Sequence, residues 1–264
     1  MSEAQPQQPD PLKEANLLFY EKAKKSFQHL FELAKAKNEL HFAFSLAPEF
    51  RGTQGPGWNT AQEAHTAFGE YLEFINSGPV TPFKTRVALA FYCQLAEASG
   101  FYEIPKNMLR VAEGHRYKAW PFQEIVEKHE ATGTVIAPNA NKVIRNLVGH
   151  ATTLGLNDMA EIFRDAFDSD IRNGFVHADY VIWDDGIRLT KRNGGDRRIV
   201  SWPEFHASLE RGINFFNLLG ETVKEYRDSY NPPKEVRGQS GTAPECDWTI
   251  CCNPETKVFS ISCL

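Results

Sequence analysis

Apolar side chains recur at helical spacing over most of this chain. From residue 11 to about residue 37 they return every three or four positions, which is the period of an amphipathic α-helix. The same period predicts further helices over residues 60–75, 82–99, 105–113, 122–129, 139–154, 157–177 and 202–230, separated by Gly, Pro and Asn residues. The pattern therefore predicts a mainly α protein built as a helical bundle.

The pattern changes after residue 179 and again near the C-terminus. Residues 180–183 and 187–189 flank Asp184-Asp185-Gly186, and an Asp-Gly turn between such segments is typical of a β-hairpin. Residues 199–200 are predicted to add a third short strand. A second hairpin is predicted from residues 249–251 and 258–261 around Asn253-Pro254. We expect a small β insertion within the helical fold and a short β tail.

Composition divides the chain of 264 residues into three parts. Residues 1–10 are polar and carry Pro and Gln, which predicts a disordered leader. Residues 11–230 are predicted to form one helical domain, long enough to bury a core. Residues 231–264 are predicted to be a linker rich in Gly and Ser followed by a hairpin tail that carries cysteines.

Charge and hydropathy narrow the functional classes. The net charge of −5 does not favour a protein that coats nucleic acid nonspecifically, although it leaves room for a local basic site. No apolar stretch is long enough to span a bilayer, and the first residues lack an apolar signal region, so we expect a cytoplasmic protein with no membrane partner. No phosphate loop or dinucleotide fingerprint occurs, and we expect no cofactor and no metal.

Four of the five cysteines lie in the last 19 residues: Cys246, Cys251, Cys252 and Cys263. Their spacing lacks the paired C-x-x-C signature of a zinc site. This favours reduced thiols in the terminal hairpin, and a metal site or a disulfide stays open as the alternative.

The strongest candidate site combines Arg172 with His177 at the end of the predicted helix 157–177. An arginine can stabilise the charge on a phosphate, and a histidine can move a proton at neutral pH. RNA carries its own nucleophile, the 2′-hydroxyl, so these two groups are a minimal set for cleaving it. Five residues on a helix correspond to about 140° of rotation, so the two side chains do not share one face.

That spacing leaves several arrangements open. His177 could lie beyond the last regular turn, Arg172 could reach round the helix, or two copies could meet across a dimer axis. In a purely structural interpretation, Arg172 pairs with Asp168 or Asp179 and His177 caps the helix.

The string Arg-Asn-Gly-Phe-Val-His-Ala-Asp-Tyr at 172–180 resembles the active-site motif of the HEPN (higher eukaryotes and prokaryotes nucleotide-binding) superfamily. That motif is an Arg, a polar residue, three further residues and a His at the end of a bundle helix. The Asp-Tyr pair and the Asp-Asp-Gly hairpin also look like bacterial members. The resemblance covers about residues 82–230. It implies that Arg172 and His177 are catalytic and that Asn173 orients or supports them.

The resemblance further implies a homodimer in which two motifs meet in a cleft and cleave RNA without metal, in a defence or toxin–antitoxin setting with an antitoxin or other protein as partner. Some members of the superfamily have lost activity. The alternative is therefore a catalytically inactive HEPN module that binds a nucleotide or a protein partner through the same cleft.

A second string, Arg145-Asn146-Leu147-Val148-Gly149-His150, repeats the spacing inside the predicted helix 139–154. No Asp-Tyr hairpin follows it, so it ranks second, either as the true site or as part of the same cleft. Beside the first string, the predicted hairpin tip carries four cations that could hold RNA phosphates or be simply solvated: Lys191, Arg192, Arg197 and Arg198.

Overall fold

The computed structural model describes residues 10–47, 60–190, 195–242 and 244–263. Residues 1–9 of the expected leader, the Gly- and Pro-rich segment 48–58, and Lys191 and Arg192 of the basic loop lie outside these ranges. At the start of the described chain, Asp10 caps the first helix by accepting a hydrogen bond from the Leu12 amide at 3.0 Å.

Helices dominate the described residues, which confirms the mainly α fold class. They are α1 (Pro11–Lys37), α2 (Glu39–Ser45), α3 (Thr60–Asn76), α4 (Pro82–Glu97), α5 (Ser99–Glu113), α6 (Ala140–Thr153), α7 (Asn157–Asp165), α8 (Ser169–Val176) and α9 (Trp202–Asp228). Nowhere in the described ranges is a helix both long and apolar enough to cross a membrane.

The core lies where α1 packs against α5, α7 and α9. Phe215 of α9 is fully buried there, and its ring centroid lies 5.3 Å from that of Phe27 on α1. The rings of Tyr102, Phe163 and Phe167 each lie 6.2 Å from it. The rings of Phe163 and Phe167 meet it edge to face, and those of Phe27 and Tyr102 meet it at tilted angles. One side chain thus joins four helices.

Several helix boundaries differ from the predicted ones. The break expected at Gly100 falls at Ala98, and α5 begins at Ser99 with Gly100 in its first turn and Pro105 in its interior. Gly114 does end α5, in the left-handed conformation expected of a glycine stop. Helix α2 was not predicted. The helix predicted over residues 122–129 is wrong, because this segment forms a 3-10 turn (Gln123–Ile125) and then β1 (Glu127–Lys128), which pairs with β2 (Val135–Ile136).

After α8, strands β3 (Tyr180–Trp183), β4 (Gly186–Leu189) and β5 (Arg198–Ser201) form an antiparallel sheet. One face buries Ile187, Leu189 and Val200, whereas the other face leaves Val181 and Ile199 exposed. Gly186 has a φ of 146°, and a Cβ atom there would lie 2.1 Å from the carbonyl oxygen of Val200, so this turn requires glycine.

The C-terminal part is more ordered than a linker and a hairpin. Residues expected to belong to the linker form β6 (Lys234–Gly238), which pairs with β7 (Cys246–Cys252) beside β8 (Phe259–Cys263). Cys246 and Cys263 form a disulfide, while Cys251 and Cys252 are free, so the expectation of reduced thiols holds for only two of the four. Among the described residues, no group of three or more His, Cys, Asp or Glu side chains could hold a metal ion.

Replacement of Phe215 with Ala tests the aromatic core. We expect the free energy of unfolding to fall by about 3–5 kcal/mol, because the substitution leaves a cavity where four helices meet. Urea denaturation measures this change. Phe83→Ala is the matched control: that ring is 66% exposed, so its loss should change stability by less than about 0.5 kcal/mol. Equal effects of the two substitutions would contradict this description of the core.

Candidate functional site

The helix that carries the first Arg-to-His string is short and begins at Asp168. The predicted helix 157–177 is in fact two helices, because the chain leaves helical geometry between Asp165 and Ser169. The Oδ1 atom of Asp168 accepts hydrogen bonds from the amides of Asp170 (2.9 Å) and Ile171 (3.3 Å), which caps α8. The amide of Asp168 donates to the hydroxyl of Tyr92 at 2.5 Å, which ties the break to α4. These contacts set the direction in which α8 leaves the break.

Arg172 on α8 is held by two neighbours. Its Nη2 atom forms an ion pair with Glu97 at the end of α4, and its Nη1 atom donates to Oδ1 of Asn173 at 2.7 Å. The side chain is 12% exposed, and Nε is buried without a hydrogen-bond partner in the described residues. The structural interpretation, in which Arg172 pairs with Asp168 or Asp179, is therefore wrong in its partner, since the partner is Glu97.

The thiol of Cys93 on α4 contacts the backbone of Arg172, with Sγ 3.8 Å from the carbonyl oxygen. Burial raises the pKa of Cys93 to about 12, so the thiol stays protonated near neutral pH and is a poor nucleophile.

His177 is the C-terminal cap of α8, one residue beyond the last helical residue. Its amide donates to the carbonyl of Asn173 at 3.0 Å, and its side chain is exposed. Within the described ranges, the imidazole forms no hydrogen bond, ion pair or ring contact. Both ring nitrogens are thus without a partner in the described part of the chain.

Gly174, inside the string, lets α8 approach the following sheet. A Cβ atom at this position would lie 2.6 Å from Cδ2 of Leu189 on β4. Leu189 is itself buried, so a larger residue would displace part of the core and move α8 away from the sheet.

Arginines of both strings line one cavity of about 330 Å³ at the start of α8. Arg145 reaches it from α6, Arg164 from α7 and Arg172 from α8; we call it the arginine cavity. The rest of its wall consists of Ala96, Ala140, Asn141, Ile144, Phe167, Asp168 and Ser169. His177, Asn173 and His150 do not line it, so within a single copy the structure brings together the arginines but not the histidines.

The second string contributes its arginine to this cavity and its histidine to a separate polar network. Nε2 of His150 lies 2.8 Å from a carboxylate oxygen of Glu113, and Nδ1 lies 3.2 Å from Nζ of Lys106. Lys106 also pairs with Glu124 at 2.7 Å. Burial and the charge of Lys106 lower the pKa of His150. With both ring nitrogens engaged, His150 is not available as a general acid or base. Oδ1 of Asn146 is buried and has no hydrogen-bond partner among the described residues.

The basic loop is only partly described. Arg197 is exposed. Arg198, expected to bind substrate from the hairpin tip, belongs instead to β5 and pairs with Asp168 at 2.7 Å and with Asp170 at 3.5 Å. These two ion pairs connect the β3–β5 sheet to the start of α8. Arg198 is therefore engaged within the chain.

Two members of this region, Arg164 and Glu97, were not among the predicted site residues. Arg164 was not predicted to lie near Arg172, because a single helix through residues 157–177 would place the two residues more than two turns apart. The sequence Asp168-Ser169-Asp170 is a recognisable cap that could have revealed the break. Glu97 lies 75 residues before Arg172, and nothing in the local pattern links them.

A larger groove of about 1040 Å³ lies between the starts of α4 and α9 and the end of β3. Trp183, Trp202, Phe205 and Leu209 contribute to its wall, and none of the predicted site residues does. We place the candidate site at α8 because that is where the arginines converge.

Titration of His150 tests the assignment of the second string as structural. We expect Lys106→Met to raise the pKa of His150 and Glu113→Gln to lower it further, since the first removes a cation and the second an anion. NMR titration of the imidazole protons gives both values. The pKa of His150 in the folded chain lies below the usual 6.5, so the neutral imidazole favours the folded state. This contribution to the free energy of unfolding is fully present above pH 6.5 and is lost as the pH falls through the folded pKa. Unchanged pKa values in both variants would contradict the described contacts.

No protein-family model matches this chain, and neither the curated proteins nor the solved structures contain a match to it.

Proposed function

We propose that this protein is a metal-independent endoribonuclease of the HEPN type, acting as a cytoplasmic homodimer with a HEPN-like helical bundle as its scaffold. The observation that carries the proposal is the state of the two motif side chains. Arg172 is held on α8 by Glu97 and Asn173. His177 caps the same helix, and its exposed imidazole forms no hydrogen bond, ion pair or ring contact within the described residues.

The chemistry follows from these two groups. The 2′-hydroxyl of RNA attacks the adjacent phosphorus, the bond to the 5′-oxygen breaks, and a 2′,3′-cyclic phosphate and a 5′-hydroxyl result. His177 moves the proton of the attacking or leaving oxygen, and the guanidinium of Arg172 stabilises the charge on the pentacoordinate phosphorus. Asn173 keeps the guanidinium in position through its 2.7 Å hydrogen bond.

A second copy supplies what one copy lacks. His177 does not line the arginine cavity of its own chain, so a working site needs the histidine of a partner. The surface next to His177 suits such a contact, because Val176, Val181 and Ile199 are each about half exposed. Val181 and Ile199 flank Arg188 on one face of the β3–β5 sheet. Exposed apolar side chains grouped in this way are typical of protein interfaces.

The second candidate function is an inactive HEPN module that binds a nucleotide or a protein such as an antitoxin. One observation favours it: Arg172 is paired with Glu97, so part of the positive charge that would stabilise a phosphate is already neutralised. Absence of cleavage together with saturable nucleotide binding would support this candidate.

RNA cleavage in the presence of a chelator tests the proposal. We expect His177→Ala to lower the cleavage rate about 10²–10⁴-fold, the usual contribution of a general acid or base. Arg172→Ala should lower it about 10²–10³-fold, and Arg172→Lys should fail to restore it because lysine lacks the planar fork. His29→Ala, an exposed histidine on α1, is the matched control and should cleave as the wild type does. Cleavage that survives both motif substitutions, or that requires a metal, would refute the proposal.

Mixing two inactive variants tests whether the site is shared between copies. If Arg172 of one copy works with His177 of the other, a heterodimer of Arg172→Ala and His177→Ala contains one intact pair. With random exchange, about half the dimers are mixed and about a quarter of wild-type activity returns. A site contained within one copy predicts no recovery, which would exclude the shared arrangement.

A further inference from the structure

The arginine cavity carries positive charge at a place separate from the exposed His177. Arg145 and Arg164 are both exposed and line it from neighbouring helices. Neither forms an ion pair within the described residues. Their positive charges are thus uncompensated where they meet, which distinguishes them from Arg172 and Arg198, each of which faces a carboxylate.

The remaining polar wall does not cancel this charge. Asp168 lines the cavity, but its carboxylate is paired with Arg198 at 2.7 Å and also caps α8. Asn141 accepts a hydrogen bond from Nε of Arg145 at 3.1 Å through its carbonyl oxygen, which leaves the terminal nitrogens of that guanidinium free. Two forked donors at one opening match the geometry of phosphate oxygens.

Arg172 is the third arginine in the wall of this cavity. Its Nη atoms are used by Glu97 and Asn173, whereas its Nε donor is buried and has no acceptor in the described chain. Arg172 thus adds positive charge to the wall of the cavity, and Glu97 offsets part of it.

The size and the apolar part of the wall narrow the ligand. A volume of about 330 Å³ lies at the lower end of the range for small-molecule sites. It exceeds what a phosphate needs and suits one nucleotide. Ile144 and Phe167, together with two alanines, offer an apolar surface for a base or a ribose beside the guanidinium groups.

We propose that the arginine cavity is a phosphate-binding subsite that holds one ribonucleotide unit, with Arg145 and Arg164 on its phosphate and the Ile144 and Phe167 side against its nucleoside. This subsite deepens the proposed function, on which its role in RNA cleavage rests. The binding itself does not depend on cleavage or on His177.

Calorimetric titration of the full chain with adenosine 5′-monophosphate in a chelator tests the subsite, with adenosine and inorganic phosphate as comparison ligands. We expect Arg145→Gln and Arg164→Gln each to weaken binding of the nucleotide by about tenfold, the usual loss for a charge-assisted hydrogen bond. Adenosine should bind far more weakly than its phosphate. Inorganic phosphate should also bind more weakly, since it makes no apolar contact.

Arg237→Gln is the matched control, because Arg237 is an exposed arginine on β6 and does not line the cavity. It should bind the nucleotide as the wild type does. Both cavity arginines are exposed, so thermal melting should show that each variant is folded. Unaltered affinity in both cavity variants, or equal affinity for adenosine and its phosphate, would overturn the subsite.

His177→Ala separates the two proposals. It should lower the cleavage rate about 10²–10⁴-fold and leave nucleotide binding unchanged. If the wild type does not cleave RNA but loses nucleotide affinity with Arg145→Gln, the subsite stands and the nuclease proposal fails. If RNA is cleaved through His177 while Arg145 and Arg164 have no effect on binding, the subsite fails alone.

Discussion

Asp168 organises the region that contains the candidate site. Its amide contacts Tyr92 on α4, one carboxylate oxygen caps α8, and the other pairs with Arg198 on β5. One residue thereby starts α8 and holds the following sheet against it. Because the chain turns here, Arg164 and Arg172 face one cavity rather than following one another along a single helix.

The two Arg-Asn-x-x-x-His strings show why spacing alone does not define a site. Both contain the same residue types five positions apart, yet their histidines meet different surroundings. His150 lies within a helix and is engaged by Glu113 and Lys106 through its two nitrogens. His177 lies beyond the end of a helix and is exposed. An imidazole must have a free nitrogen to transfer a proton to a substrate. Of the two histidines, only His177 therefore suits general acid–base chemistry.

Much of the helical fold could be predicted because amphipathic period and caps are local properties. The span of α1 agrees with the prediction at both ends, and Asn139 and Gly155 bound α6 as expected. The break before α8 could not be read from periodicity. Phe163, Phe167 and Ile171 keep the helical spacing through it, since all three face the same core.

The sequence alone identifies the residues of the Arg172 string as candidates, but it does not reveal which distant residues they contact. The Arg172 string and its polar neighbour Asn173 are adjacent in sequence, so their proximity needed no tertiary information. The pairing with Glu97 and the convergence with Arg145 depend on how α4, α6 and α8 cross. Such crossings are decided by side-chain packing over the whole core, which a single sequence does not reveal.

In the enzyme that we propose, RNA is held between Arg172 of one copy and His177 of another. A crystal structure of the protein with a short RNA that carries a 2′-deoxy nucleotide at the cleavage position tests this directly, because the substrate lacks its nucleophile and stays intact. We expect the scissile phosphate within hydrogen-bond distance of Arg172 and of the His177 imidazole from a second copy. A phosphate bound far from Arg172, or an RNA complex in which His177 of neither copy approaches the phosphate, would contradict the shared site.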